Sequence, residues 1–79
     1  DKPVGEYERF TLVYDRTSKN GKCELFVFYK EHYTEEGIND STAILDMYAV
    51  EKGTGKVITA DKQSWSDVGT QEYRNATGE

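Results

Sequence analysis

The sequence predicts a mainly β domain, a small antiparallel sheet of four or five strands in meander order. Runs of aromatic and β-branched residues alternate with short segments rich in Gly, Asn and Thr, which is the pattern of strands joined by tight turns. Six Tyr, three Phe and one Trp supply the large apolar side chains of a packed core. No linker or repeat divides the chain, so one domain is predicted over residues 1–79. A sheet curled into a sandwich or an open barrel fits the same pattern.

The best-defined element is a hairpin that turns at Asn20-Gly21. This dipeptide favours a type I′ turn, in which both central residues adopt a positive φ and the twist matches that of the flanking strands. Aromatic and β-branched residues over 10–14 and 23–30 predict the two strands.

A two-residue loop also fixes the register of the hairpin and the composition of its two faces. Tyr14 is then opposite Val27, and the second face carries Val13, Phe26 and Phe28 among polar residues. Because one sheet cannot bury both of its sides, a helix, a folded-over strand or a partner must cover that second face. The predicted core face consists of Phe10, Leu12, Tyr14, Leu25, Val27 and Tyr29.

The middle of the chain predicts a loop followed by a second hairpin. Segment 31–42 is polar and is predicted to be the loop. The run 43–50 is apolar except for Asp46, and a Gly-Thr-Gly turn joins it to the β-branched residues 57–59, so two strands are predicted.

A rival interpretation makes residues 41–52 a helix in an α+β fold. Asp40 would cap its N-terminus and Gly53 its C-terminus. The tail beyond residue 59 is polar, and it is predicted to pack as a short strand or to fray. Trp65 is predicted to close one end of the core.

Composition and charge exclude several classes of function. A formal charge of -5 opposes the binding of phosphate backbones, so no nucleic-acid partner is predicted. No apolar run approaches the roughly 20 residues of a transmembrane helix, so no membrane insertion is predicted. The chain starts at Asp1 without Met, which suggests a mature product or an excised segment.

The residues that could carry chemistry do not form a catalytic set. The only Cys–His combination is Cys23 with His32, nine positions apart along one predicted strand, or on the order of 30 Å. One Cys and one His cannot supply a structural zinc site, and the acidic loop lacks the spacing of an EF-hand. We therefore predict no enzyme activity, no metal and no cofactor.

Surface aromatic and acidic residues remain as candidates for binding. Aromatic residues are enriched at binding interfaces. Grouped carboxylates would attract a basic partner electrostatically. The candidate ligand- or partner-binding residues are Phe26, Phe28, Tyr33, Glu35, Glu36, Asp40, Trp65 and Tyr73.

Residues 48–57, Tyr-Ala-Val-Glu-Lys-Gly-Thr-Gly-Lys-Val, resemble the turn that closes small β modules of secreted or lipid-anchored Gram-positive proteins, PepSY-like domains included. The resemblance implies a location outside the cytoplasmic membrane and a binding, inhibitory or accessory role. Our first hypothesis is a non-enzymatic module, secreted or at the cell surface, that binds a protein or a cell-envelope component. Alternatives are a small acidic inhibitor or immunity-type protein, a cytoplasmic location, and a homodimer that buries Phe26 and Phe28.

Overall fold

A computed structural model describes residues 5–79 as one antiparallel sheet followed by a short helix. The sheet order β1-β2-β3-β4 confirms the predicted meander, and the sheet does not close into a barrel. The elements are β1 (Tyr7–Thr17), β2 (Cys23–Tyr33), β3 (Asn39–Glu51), β4 (Val57–Thr59) and α1 (Gln71–Thr77).

The second hairpin is confirmed, and the alternative helix at 41–52 is wrong. Met47 and Ala49 are buried whereas their neighbours along β3 are not, which is the two-residue period of a strand with one face in the core. The turn between β3 and β4 depends on Gly53 and Gly55, whose φ angles of 89° and 74° suit Gly.

The predicted loop over residues 31–42 is too long. β2 continues to Tyr33 and β3 begins at Asn39, which leaves only residues 34–38 as a loop. The pairing is held by polar side chains across the strands, including a hydrogen bond from Asn39 Nδ2 to Glu31 Oε2 of 2.9 Å. Polar composition predicted a loop here because both faces of this part of the sheet are open to solvent.

The first hairpin has the predicted pairing at its base but not the predicted turn. The Ser18 N–H donates to the Cys23 carbonyl at 2.8 Å, as the register requires. Gly21 has a φ of 75° whereas Asn20 does not have a positive φ, so the turn is not type I′. Asn20 is instead held against the end of α1, where its Nδ2 donates to the Ala76 carbonyl at 2.9 Å.

A β-bulge at Asp15 reverses the faces predicted for β1. Arg16 pairs with Leu25 as predicted, but Tyr14 pairs with Phe26 because Asp15 has no partner in the ladder. One extra residue in a strand moves every following side chain to the opposite face. Val13 therefore faces the core side beside Val27, and the predicted core positions Phe10, Leu12 and Tyr14 lie on the other side.

The tail forms a helix, so the predicted strand or frayed end is wrong. Thr70 is the N-cap, and its hydroxyl accepts a hydrogen bond from the Tyr73 N–H at 3.1 Å. Gly78 ends the helix with a φ of 74°. These two capping residues indicate a helix over the residues between them, whereas the polar composition of the segment predicts a tail. Tyr73 packs from α1 into the core. The core consists of Cys23, Leu25, Val27, Met47, Ala49, Ile58, Ala60 and Tyr73.

The core occupies one end of one face of the sheet. α1 contacts β3 and β4, whereas β1 packs against β2. The radius of gyration is 15.2 Å, compared with about 12 Å for a compact chain of this length. The protein is therefore an elongated plate with much of its sheet uncovered.

Candidate functional site

The face of the sheet opposite α1 is lined by aromatic and aliphatic side chains. Directly paired residues of an antiparallel sheet point to the same side, so the register assigns the members of this face. We call it the aromatic face, and its apolar side chains are Phe10, Leu12, Tyr14, Phe26, Phe28, Tyr48, Val50 and Val57. The same register also assigns Lys30, Asp46 and Thr59 to this face.

The outer strands of the aromatic face are the most exposed part of it. Phe10, Leu12 and Tyr14 on β1 retain 52–59% of their accessible surface, and Val57 on β4 retains 59%. Within residues 5–79, therefore, nothing packs over these side chains. A contiguous apolar surface of this kind is typical of an interaction site.

Ring contacts hold the aromatic face in a fixed arrangement. The rings of Phe10 and Phe28 stack with centroids 6.2 Å apart, and Tyr14 meets Phe26 edge-on at 5.6 Å. Such pairs stabilise neighbouring strands and restrict the rotamers of the rings. Phe26 and Phe28 thus lie on the face away from Leu25 and Val27, as their alternation predicts. Phe10, Leu12 and Tyr14 are predicted from the sequence on the core face instead, because no simple pattern marks Asp15 as a bulge.

Charged pairs border the aromatic face at both ends of β2. Lys30 Nζ lies 3.2 Å from Glu8 Oε2 at one end, and Lys52 Nζ lies 3.7 Å from Glu24 Oε1 at the other. An apolar centre with a charged rim is the usual composition of a protein interface.

A separate cleft of about 540 Å³ lies on the core side of the sheet, beyond the area that α1 covers. Val13, Val27, Tyr29, Ile44, Gln63 and Trp65 are among the residues that line it. Trp65 is 65% exposed, so it does not close the end of the core as predicted. Hydrogen bonds from backbone N–H groups to carboxylates hold the loop that carries it. The Gln63 N–H donates to Asp67 Oδ2 at 2.8 Å, and the Lys62 N–H donates to Asp46 Oδ1 of β3 at 3.2 Å.

The remaining candidates lie at the far end of the β2–β3 hairpin, apart from Tyr73. Tyr33 stacks on Tyr7 with ring centroids 5.0 Å apart. Glu35 and Glu36 are exposed in the loop over 34–38. These residues are at the opposite end of the sheet from α1, so the structure does not bring the eight predicted residues into one site. Tyr73 is buried in the core and does not present its ring to a partner.

His32 lies between two carboxylates at this end of the sheet. Its Nδ1 is 2.6 Å from Asp40 Oδ1, and its Nε2 is 3.4 Å from Glu6 Oε2. The hydrogen bond with Asp40 is the main reason why the pKa of His32 is raised above its usual 6.5. The charged imidazolium is therefore favoured in the folded state.

We expect this arrangement to make folding stability depend on pH. Because the pKa of His32 is higher when folded, its contribution is fully present below the unfolded pKa of about 6.5 and is lost as the pH rises through the folded value. A proton NMR titration should give His32 a pKa above 6.5, and Asp40→Asn should lower it. Glu72→Gln, on α1, is the matched control and should leave it unchanged. An identical titration in the Asp40→Asn protein would contradict this assignment.

Cys23 and His32 are separated by the length of β2 and do not form a dyad. Cys23 belongs to the buried core, whereas the alternation along β2 places His32 on the opposite face. Burial raises the pKa of the Cys23 thiol, and its Sγ lies 3.4 Å from the Ala76 carbonyl oxygen. Thiolate is the reactive form of Cys, and the raised pKa favours the thiol form of this buried side chain at neutral pH.

Among residues 5–79, no three His, Cys, Asp or Glu side chains are grouped so as to hold a metal ion. In the same part of the chain, no helix has both the length and the apolar character of a membrane span.

Comparison with protein-family models, curated proteins and solved structures gave no match to this chain. The resemblance of residues 48–57 to PepSY-like modules therefore stays a prediction.

Proposed function

We propose that this chain is a non-enzymatic interaction module, and that its aromatic face binds an apolar surface of a partner protein. The observation that carries the proposal is the row of exposed apolar side chains on β1, Phe10, Leu12 and Tyr14. Leaving such side chains in water costs roughly 1.5–3 kcal/mol each relative to burial, so a partner that covers them gains affinity.

The shape of this face supports a protein as the occupant. The Cα atoms of the plate span 44 × 24 × 15 Å, which is large enough for the roughly 800 Å² that each partner buries in a standard interface. Small ligands prefer concave sites that enclose them, whereas this face is a broad sheet surface. The ion pairs Lys30–Glu8 and Lys52–Glu24 would form part of the rim.

We further propose a location outside the cytoplasmic membrane, at the cell surface or secreted. The support is the resemblance of residues 48–57 to modules of secreted and lipid-anchored proteins. The precursor sequence tests this directly. A signal peptide or a lipid-attachment Cys upstream of Asp1 would support the proposal, and a short cytosolic leader would contradict it.

Substitution at Val57 tests the role of the aromatic face. Proteins captured by the chain from its source are purified, and each is titrated calorimetrically against the wild type, Val57→Lys and Val68→Lys. At least one should bind the wild type and bind Val57→Lys about tenfold more weakly, because the lysine places a charge at an apolar contact. Val68→Lys is the matched control, since Val68 is 71% exposed in the loop after β4.

Two results would count against the proposal: the absence of any partner, or partners that bind Val57→Lys as tightly as the wild type. The second result has a specific alternative explanation. Glu35 and Glu36 are exposed at the end of a hairpin, as an acidic inhibitor of a basic site would require. In that case rising salt would slow association markedly, and Glu35→Gln with Glu36→Gln would weaken binding while Val57→Lys would not.

A further inference from the structure

The outer side of β1 is a long strand edge that no strand of the described chain pairs. β1 has eleven residues and is hydrogen-bonded only to β2, whereas the other edge strand, β4, has three residues. Alternate backbone N–H and C=O groups of an edge strand point away from its neighbour and can pair with another strand. Proline, charge and bulges commonly protect such edges. The centre of β1, residues 10–14, has neither proline nor charge, and its bulge lies beyond that segment at Asp15.

The sequence of β1 is self-complementary about Leu12. Residues at equal distances on either side of Leu12 have matching chemistry. Going outward, the first pair is β-branched, the second is aromatic, and the third and fourth each combine a positive with a negative charge. The pairs are Thr11 with Val13, Phe10 with Tyr14, Arg9 with Asp15, and Glu8 with Arg16.

This symmetry is what an antiparallel pair of identical strands requires. A two-fold axis through residue 12 places each residue opposite its equidistant counterpart in the second copy. We infer that two copies of this chain pair through the outer edges of β1, antiparallel and centred on Leu12. The result is one eight-stranded sheet.

Neighbouring registers lack this complementarity. Centring on Thr11 would place Arg9 opposite Val13, and centring on Val13 would place Arg16 opposite Phe10. Of the three registers, only the one centred on Leu12 places opposite charges across from each other at both ends of the uncharged centre. Cross-strand charge pairs of this kind favour one register over another.

The inner charge pair contributes more than the outer one. Arg9 and Asp15 are exposed, and the contact of Asp15 within the chain is a 3.7 Å approach to Arg16 Nε. Glu8 already pairs with Lys30, and Arg16 already binds Glu79 through hydrogen bonds that include one of 3.0 Å. The bulge also places Arg16 on the core face beside Leu25, whereas Glu8 pairs with His32 and lies on the aromatic face. The outer pair therefore does not meet across the junction, and Arg9 with Asp15 is the charge pair that supports this register.

The axis of this dimer is perpendicular to the sheet, so both aromatic faces lie on the same side. Phe10 of each copy is then beside Tyr14 of the other, and the two Leu12 side chains meet at the axis. This inference does not depend on the proposed partner protein, because it concerns the edge of the sheet and not its face.

A residue on a two-fold axis faces itself, which gives a direct test by sedimentation. The wild type should show a reversible monomer–dimer equilibrium between micromolar and millimolar concentration. Leu12→Lys and Leu12→Glu should each weaken the dimer by about tenfold or more, since like charges face each other across the junction. An equimolar mixture of the two variants should restore dimers to within about threefold of the wild type.

Val57→Lys is the matched control, because Val57 is as exposed as Leu12 but lies on β4, away from the junction. It should leave the dimer unchanged. Three results would overturn the inference: a wild type that is monomeric up to millimolar concentration, equal weakening by Leu12→Lys and Val57→Lys, or a mixture that does not restore the dimer. Equal weakening would assign the dimer to packing between aromatic faces.

Circular dichroism establishes beforehand that each variant is folded. If the Leu12 variants are not, the test uses Arg9→Asp and Asp15→Arg. Each alone should weaken the dimer, and the double variant should restore it because the charges are exchanged. Failure of the double variant to restore the dimer would equally overturn the Leu12 register.

Discussion

Replacing Val27 with Asp is expected to unfold the protein, whereas the same replacement at Leu12 is expected to leave it folded. Val27 is 4% exposed and pairs with Val13 on one side and Met47 on the other. A carboxylate there loses its hydration among apolar neighbours, at a cost of several kcal/mol. A chain of this size has a total stability of about 5–10 kcal/mol, so most of it would be lost.

Leu12 is 57% exposed on the aromatic face, where a carboxylate stays hydrated. Urea unfolding followed by circular dichroism should show a loss of less than about 1 kcal/mol for Leu12→Asp. The comparison tests the bulge at Asp15 directly. Without the bulge, Leu12 would belong to the same face as Val27, and both substitutions would unfold the chain.

Tyr73→Ala is expected to cost about 3 kcal/mol or more and to release α1 from the sheet. Tyr73 is 3% exposed and is the aromatic ring of the core cluster. Its removal leaves a cavity over β3 and β4 that Ala76 and Thr77, the other α1 side chains packed toward the core, are too small to fill. Thermal unfolding followed by circular dichroism measures the loss of stability.

Tyr73→Phe is the matched control, because it keeps the ring and removes only the hydroxyl. Its stability should fall by less than about 1 kcal/mol. If Tyr73→Ala were as stable as the wild type, α1 would not be packed as described, and the candidate binding role of Tyr73 would regain support.

Local patterns predicted the sheet well because its turns and apolar runs are marked by residues that act locally. Two Gly positions with positive φ determine the β3–β4 turn, and the short apolar run 43–50 that leads into this turn predicts a strand. The helix α1 was predictable from Thr70 and Gly78, and it was missed because the polar residues between those caps indicated a tail.

The candidate site was predicted only in part. The positions of Phe26 and Phe28 on the aromatic face follow from alternation along β2. The pairing of β1 with β2 is regular except at Asp15. Phe10, Leu12 and Tyr14 could not be assigned to the aromatic face, since a bulge adds one residue without a distinctive sequence signal. Trp65 is exposed although it is predicted to close the core, and Tyr73 is buried although it is a binding candidate, because burial in the tail is decided by the path of the chain after β4.

An acidic, mainly β protein with a meander of strands is predictable from the residues alone, as is the long separation of its Cys from its His. Those properties depend on composition, on turn residues and on spacing along one strand. Tertiary packing was needed to establish which side of β1 faces the core, where the tail packs, and how much of the sheet stays uncovered. A single residue without a ladder partner, Asp15, reverses every side chain before it on β1, and its position follows from the pairing of β1 with β2 and not from local sequence preference.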